Sequence, residues 1–125
     1  MIAPVRFRDS FPILEVADVK RSLRFYVELL GFSTTYSFPS EEEPAFVSME
    51  LDGGGKLAIG GPKQGVETGS TAIWVYTDDV DAAVAVLRDA GVRLVSEPAD
   101  QPWGERAASV ADPDGYTIHI GAPAG

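Results

Sequence analysis

The chain repeats itself, and that limits its architecture more than any other feature. The segment "KLAIG" at Lys56–Gly60 returns as "TIHIG" at Thr117–Gly121, and "VADV" at Val16–Val19 returns loosely as "TDDV" at Thr77–Val80, both at an offset of 61. Between these anchors "LLGF" at Leu29–Phe32 matches "DAGV" at Asp89–Val92 at an offset of 60. One offset shared by both ends predicts two copies of a unit, about residues 10–61 and 70–121, joined by a linker over 62–69. A chain of 125 residues is a single domain with room for one core, so the copies must share it.

Each copy reads alike. An apolar strand opens it, "FPILEVA" in the first and "TAIWVYT" in the second. A helix follows, with Asp18 or Asp78 placed to cap it and Gly31 or Gly91 to end it in a left-handed conformation. Leu23, Tyr26, Val27 and Leu30 give the first helix one apolar stripe, and Val80, Ala83, Val84 and Leu87 give the second. Three short strands then close each unit, with turns at "FPSEEEP" and "LDGGGK", then at "EPADQPWG" and "DPDGY". The expected fold is α+β, βαβββ twice. Pro12 cannot donate to a ladder, so its strand is expected at a sheet edge or in an unusual pairing.

Composition closes several functional classes. A net charge of −9 and a pI near 4.4 argue against nucleic acid, whose phosphates need a basic face. There is no cysteine, which removes disulfides and thiolate metal sites and suits a reducing compartment. No segment has the length and apolarity of a membrane span, and "MIAPVRFRDS" lacks the apolar core of a signal peptide. The expected setting is the cytoplasm, with no nucleic-acid or membrane partner.

Paired βαβββ units with "FY…LLGF" after the first helix and "DPDG" before the last strand resemble the vicinal oxygen chelate superfamily, over about residues 10–121. That superfamily includes glyoxalase I, extradiol dioxygenases, and fosfomycin- and bleomycin-resistance proteins. "FPILEVADVKRSLRFYVELLGFS", "TAIWVYTDDVD" and "DQPWGERAASVADPDGYTIHI" are most similar to the bleomycin-binding branch. The resemblance implies a curved mixed sheet around a cleft, and a homodimer. In the metal-dependent relatives the first and last strands of each unit supply the ligands. Resemblance puts those positions at Ala72 and His119, and subtracting the offset gives Phe11 and Ala58. Only His119 carries a lone pair, and one imidazole does not hold a divalent ion against water, so no metal and no cofactor are expected.

Strand alternation assigns the lining of the cleft. Phe11, Ile13 and Glu15 face it from the first strand, Ala72, Trp74 and Tyr76 from the fifth, and Thr117 and His119 from the eighth. The alternates Leu14, Val16, Ile73, Val75, Ile118 and Ile120 belong under the helices. Trp103, in its Pro-Trp-Gly turn, either caps the core or forms a stacking wall, and the resemblance favours the wall. Phe38 and Phe46 are candidates for the wall opposite, against a plainer role in strand packing. Glu15 and Glu50 are the carboxylates placed to meet a cationic ligand. Lys20, Arg21 and Arg24 read as helix-surface charges without chemistry.

The expected function is binding without turnover. A small flat aromatic or cationic molecule, an antibiotic among the options, would be sequestered by Trp103, Trp74, Tyr76, Phe11, Ile13, Glu15, Phe46, Thr117 and His119. His119 with Glu15 or Tyr76 leaves open an enzyme of glyoxalase type, a lyase, isomerase or dioxygenase, since acid–base work needs only a titratable group in reach of substrate. A scaffold turned to binding a partner protein is the third reading.

Overall fold

The structure, a computed structural model, describes residues 5–123. Its elements run β1 (Ile13–Glu15), α1 (Val19–Leu23) continuing into a π-helical segment (Arg24–Leu29), β2 (Ser33–Phe38), β3 (Phe46–Glu50) and β4 (Lys56–Gly60). The second unit repeats them as β5 (Ala72–Tyr76), α2 (Val80–Asp89), β6 (Arg93–Asp100), β7 (Glu105–Ala111) and β8 (Thr117–Pro123). The α+β class and the doubled βαβββ order follow the sequence reading.

The strands form two four-stranded sheets, ordered β1-β4-β3-β2 and β5-β8-β7-β6. In each, the first strand lies at an edge, parallel to the last, and the rest of the sheet is antiparallel. Pro12 thus borders an edge strand, and its carbonyl accepts from the Ala58 amide at 2.9 Å. The strand is shorter than "FPILEVA": Phe11 precedes it, and β1 begins at Ile13.

The aliphatic parity does go under the helices. Leu14, Val47, Met49, Leu57 and Ile59 from sheet one join Ala108, Val110, Ile118 and Ile120 from sheet two in one core with Phe25, Tyr26, Val80, Val84 and Leu87. Both sheets therefore bury their helix-side faces in the same core. Their opposite faces point away from it.

The two helices differ in a way that the offsets recorded. Asp18 accepts from the Arg21 amide, and Asp79, not Asp78, accepts from the Ala82 amide. The caps are therefore 61 apart, while the left-handed glycines that end the helices, Gly31 (φ 87°) and Gly91 (φ 88°), are 60 apart. The first helix must fit one extra residue into the same span. It does so by widening, with the Leu30 amide bonding to the carbonyl of Phe25, five residues back, at 3.1 Å. This moves the expected stripe: Val19, Ser22, Phe25 and Tyr26 are buried, while Leu23, Val27 and Leu30 are only partly so. In α2, Val80, Val84 and Leu87 are buried as expected. The second unit regains the missing residue in β6, which runs through "EPAD" with two register shifts and leaves Gln101–Gly104 as the turn.

The "DPDG" turn fastens the units together. One Asp112 oxygen accepts the amides of Asp114, Gly115 and Tyr116, each at 2.9 Å, and the other accepts the Tyr26 hydroxyl at 2.6 Å. Asp114 accepts from the Ala17 amide and from the Arg21 guanidinium, both at 3.1 Å. The Tyr116 hydroxyl donates to the Glu15 carbonyl at 2.8 Å. Burial, more than any neighbouring charge, holds the Asp112 carboxyl above the usual carboxylate range. Burial and then the Asp112 charge push the Tyr26 phenol well above its ordinary value.

Candidate functional site

The ladder places Ile13 beside Ala58 and Trp74 beside His119. Phe11 precedes β1, and Ala72 lies beside Thr117, two pairs from His119. His119 therefore has an indole for its direct neighbour, and Ala58 an alkyl chain. With Phe11 and Ala72 added, the set still offers one imidazole among alkyl and aromatic groups, a donor set that does not fit a metal ion. Among the described residues, no three His, Cys, Asp or Glu side chains come together to hold one.

On the open face of sheet two the aromatic residues do meet. The Trp74 ring lies 5.6 Å from that of His119, 5.9 Å from Tyr76 and 6.4 Å from Trp103, all tilted. Trp74 lies on its own sheet because β8 has no side chain at Gly121: a Cβ there would meet the indole at 2.4 Å. Trp103 is 61% exposed, so it is no cap on the core. Gly104, at φ 95°, turns the chain sharply after it.

Two polar residues that the sequence reading missed hold this panel. Ser109, on β7 beside His119 in the ladder, meets its Nδ1 at 2.7 Å. That bond ties one ring nitrogen and leaves Nε2 as the one able to meet a ligand. Glu105, at the start of β7, accepts from the Trp103 indole at 2.5 Å. Hydrogen bonding toward Glu105, ahead of partial desolvation, also raises the Tyr76 phenol pKa. The Glu105 carboxylate therefore holds the Trp103 indole and carries a negative charge next to both aromatic side chains. A signal for both residues was present, since Glu105 and Ser109 share the strand parity of the open face.

The other predicted residues form a separate group on sheet one. Phe46 lies 6.4 Å from Phe11 and 6.3 Å from Tyr36. Ile13 borders them over Gly60, with its Cγ2 4.0 Å from where a Cβ would stand. Phe38 is exposed at the end of β2. Glu15 is exposed, 3.8 Å from Lys63, and Glu50 is exposed beside Lys56 in the ladder. Neither reaches the tryptophans. Thr117 is half-buried two residues along from His119. Among the described residues no aromatic pair links the two groups. One chain thus carries two separate aromatic groups on outward faces.

Comparison with known proteins agrees with this architecture. The family model for the glyoxalase/bleomycin resistance protein/dioxygenase superfamily matches residues 12–120. A glyoxalase/bleomycin resistance protein from Streptomyces sp. CB03234 is 30% identical, with a TM-score of 0.70 over 90% of this chain and 97% of that one. An antibiotic-binding protein from the same organism is 28% identical, with a TM-score of 0.77 over 98% of this chain and all of that one. A probable lactoylglutathione lyase of Synechocystis is 29% identical over 117 residues, 86% of this chain and 89% of that one. The chain belongs to the glyoxalase/bleomycin resistance/dioxygenase superfamily.

Proposed function

We propose that the protein binds a flat aromatic or cationic small molecule without transforming it, as a cytoplasmic homodimer. The open face of sheet one of one copy lies against the open face of sheet two of the other. The observation that carries this reading is the Trp74, Tyr76, Trp103 and His119 panel, fixed by Glu105 and Ser109 yet left open to solvent. Exposed aromatics held this firmly present area at little further loss of side-chain freedom. The likeness to an antibiotic-binding protein points the same way.

Unlike faces fit each other here better than like ones. Sheet two is bulky along its edge pair, at Trp74 and His119, and small at Ala107. Sheet one is small at Ile13 and Ala58 and bulky at Phe46, the counterpart of Ala107. Laid together they enclose a slot with aromatic walls from both copies. The Glu105 carboxylate supplies the attraction for a cation, strengthened by the chain's −9 charge.

Light scattering at micromolar concentration should give about twice 13.3 kDa. Titration with 9-aminoacridine, a flat cation, should quench tryptophan fluorescence saturably, and more weakly as salt rises. A persistent monomer that binds nothing would overturn the proposal. The Ser109–His119 bond supports a second reading, acid–base catalysis, alongside the probable lactoylglutathione lyase relative. Lactoylglutathione formation abolished in His119→Ala would establish that reading in place of binding alone.

A further inference from the structure

A different cavity, of about 680 Å³, opens at the seam between the units, away from both aromatic faces. Its walls come from the widened turn of the first helix, the start of β6 and the "DPDG" turn. Arg21, Arg24 and Arg93 line it, three of the ten lysines and arginines in an acidic chain. Phe25, Leu29, Val92 and Pro113 supply an apolar floor. The volume is in the range of small-molecule sites.

Symmetry shows that these arginines are not inherited from the repeat. Carried across by the internal offsets, Arg21 corresponds to Ala82, Arg24 to Ala85 and Arg93 to Ser33. The second unit has a seam pocket too, of about 250 Å³, but it is lined by Leu29, Leu30, Leu51, Val86 and Leu87 and has no charged side chain. All three cations were thus placed on one side of the pseudo-twofold, where the π-helical turn also lies.

The charges there are incompletely matched. Asp112 is committed to four hydrogen bonds, and Asp114 is committed to Ala17 and Arg21. Arg24 and Arg93 have no carboxylate within ion-pair distance among the described residues, and Glu28 is the one lining carboxylate left uncommitted. The Arg21 Nε is buried with no partner. A buried donor without an acceptor is unfavourable, so this wall of the cavity is short of acceptors as well as of carboxylates.

We infer that the seam cavity is a second binding site, for a small organic anion with an apolar body, of the alkyl or aryl carboxylate class. The carboxylate pairs with Arg24 and Arg93, and the apolar body rests on Phe25 and Val92. The ligand contacts both units, and it does not depend on how the open faces are read.

Benzoate is the probe, followed by amide chemical shifts at constant ionic strength, with chloride and benzyl alcohol as controls. Benzoate should shift the amides of Gly91, Arg93 and Gly115 saturably while the Trp74 and Trp103 indole signals stay in place. Neither control should do so. Arg24→Ala with Arg93→Ala should weaken benzoate at least about tenfold, the scale of a lost charge-assisted hydrogen bond, with the melting temperature unchanged in its absence. Equal shifts with chloride, shifts confined to the indoles, or an unchanged affinity in the double variant would each overturn the assignment.

Discussion

The two units of this chain share a backbone plan and disagree at particular positions. Their helix-side faces remain aliphatic in both. The differences gather on the open faces and at the seam. Ile13 over Gly60 becomes Trp74 over Gly121, and Ala58 becomes His119. Ser48 and Ser109 occupy matching places, but Ser48 bonds the Thr35 hydroxyl at 2.8 Å while Ser109 bonds His119. At the seam the buried Tyr26–Asp112 pair corresponds to Leu87 and Leu51, a purely apolar pair. A duplicated fold keeps the positions that close its core and differs where it meets something else.

The largest effect on folding is expected at the seam. Asp112→Ala removes the acceptor for three backbone amides and the Tyr26 hydroxyl, and should destabilise by about 3–5 kcal/mol in denaturant unfolding. Leu51→Ala, at the matching place, is half-buried and should lose about 2 kcal/mol, the low end for a deleted leucine. Equal losses would mean that the polar pair adds nothing over its apolar counterpart.

The next effect contrasts the two edge glycines. Gly121→Ala drives a methyl into the Trp74 indole, which must leave its seat, for a loss of about 1–3 kcal/mol and of the acridine quench. Gly60→Ala meets nothing nearer than 3.7 Å and should change stability by less than about 0.5 kcal/mol. An intact quench in Gly121→Ala would separate Trp74 from the site.

Much of this was legible in the sequence, and the misses have physical causes. The repeat gave the element order, the caps at Asp18 and the glycines at 31 and 91, and alternation separated the core face from the open face. Alternation did not show that Ile13 and Trp74 are the ladder neighbours of Ala58 and His119, because hydrophobicity marks where a strand can run, while the ladder decides its register. Phe11 is as apolar as Ile13 but lies outside the pairing. The change of offset from 61 to 60 already encoded the π-helical turn, yet periodicity reads every helix at one pitch. Glu105, Ser109 and the seam arginines are ordinary polar residues, and only tertiary placement gives them partners.

A smaller effect concerns pH. The Asp112 carboxyl sits above the usual carboxylate range, chiefly through burial, so the folded state takes up its proton before the unfolded state does. The stability from this site is fully present below the unfolded carboxylate pKa and is lost as pH rises through the folded one. Asp112→Asn cannot titrate and lacks that contribution. The stability of the native chain relative to Asp112→Asn should therefore grow as pH falls from neutral through that window, and level off below it. Denaturant unfolding of both proteins across that range gives the difference directly. A difference that is flat with pH would mean that the amide donors offset the burial, and one that shrinks as pH falls would mean that they outweigh it. The apolar seam, tested in Leu51→Ala, should show no such dependence of its own.

The smallest effect on folding is expected at Trp103, and it bears most directly on why the units differ. The turn that carries it has no aromatic counterpart in the first unit, where the matching region is the acidic loop between β2 and β3. Trp103 is mostly exposed and tied to Glu105 alone, so Trp103→Ala should leave the melting temperature within about a degree, the range of an ordinary surface change. Its indole nevertheless supplies one wall of the panel, and its loss should weaken 9-aminoacridine by about 1–3 kcal/mol, as removal of an aromatic stacking partner does. Glu105→Gln keeps an acceptor for the indole and removes the charge. It should spare a neutral heteroaromatic probe and weaken the acridinium cation, separating stacking from electrostatics at one position. If Trp103→Ala instead unfolds the protein, the turn belongs to the core and its indole is structural, not a wall of the panel.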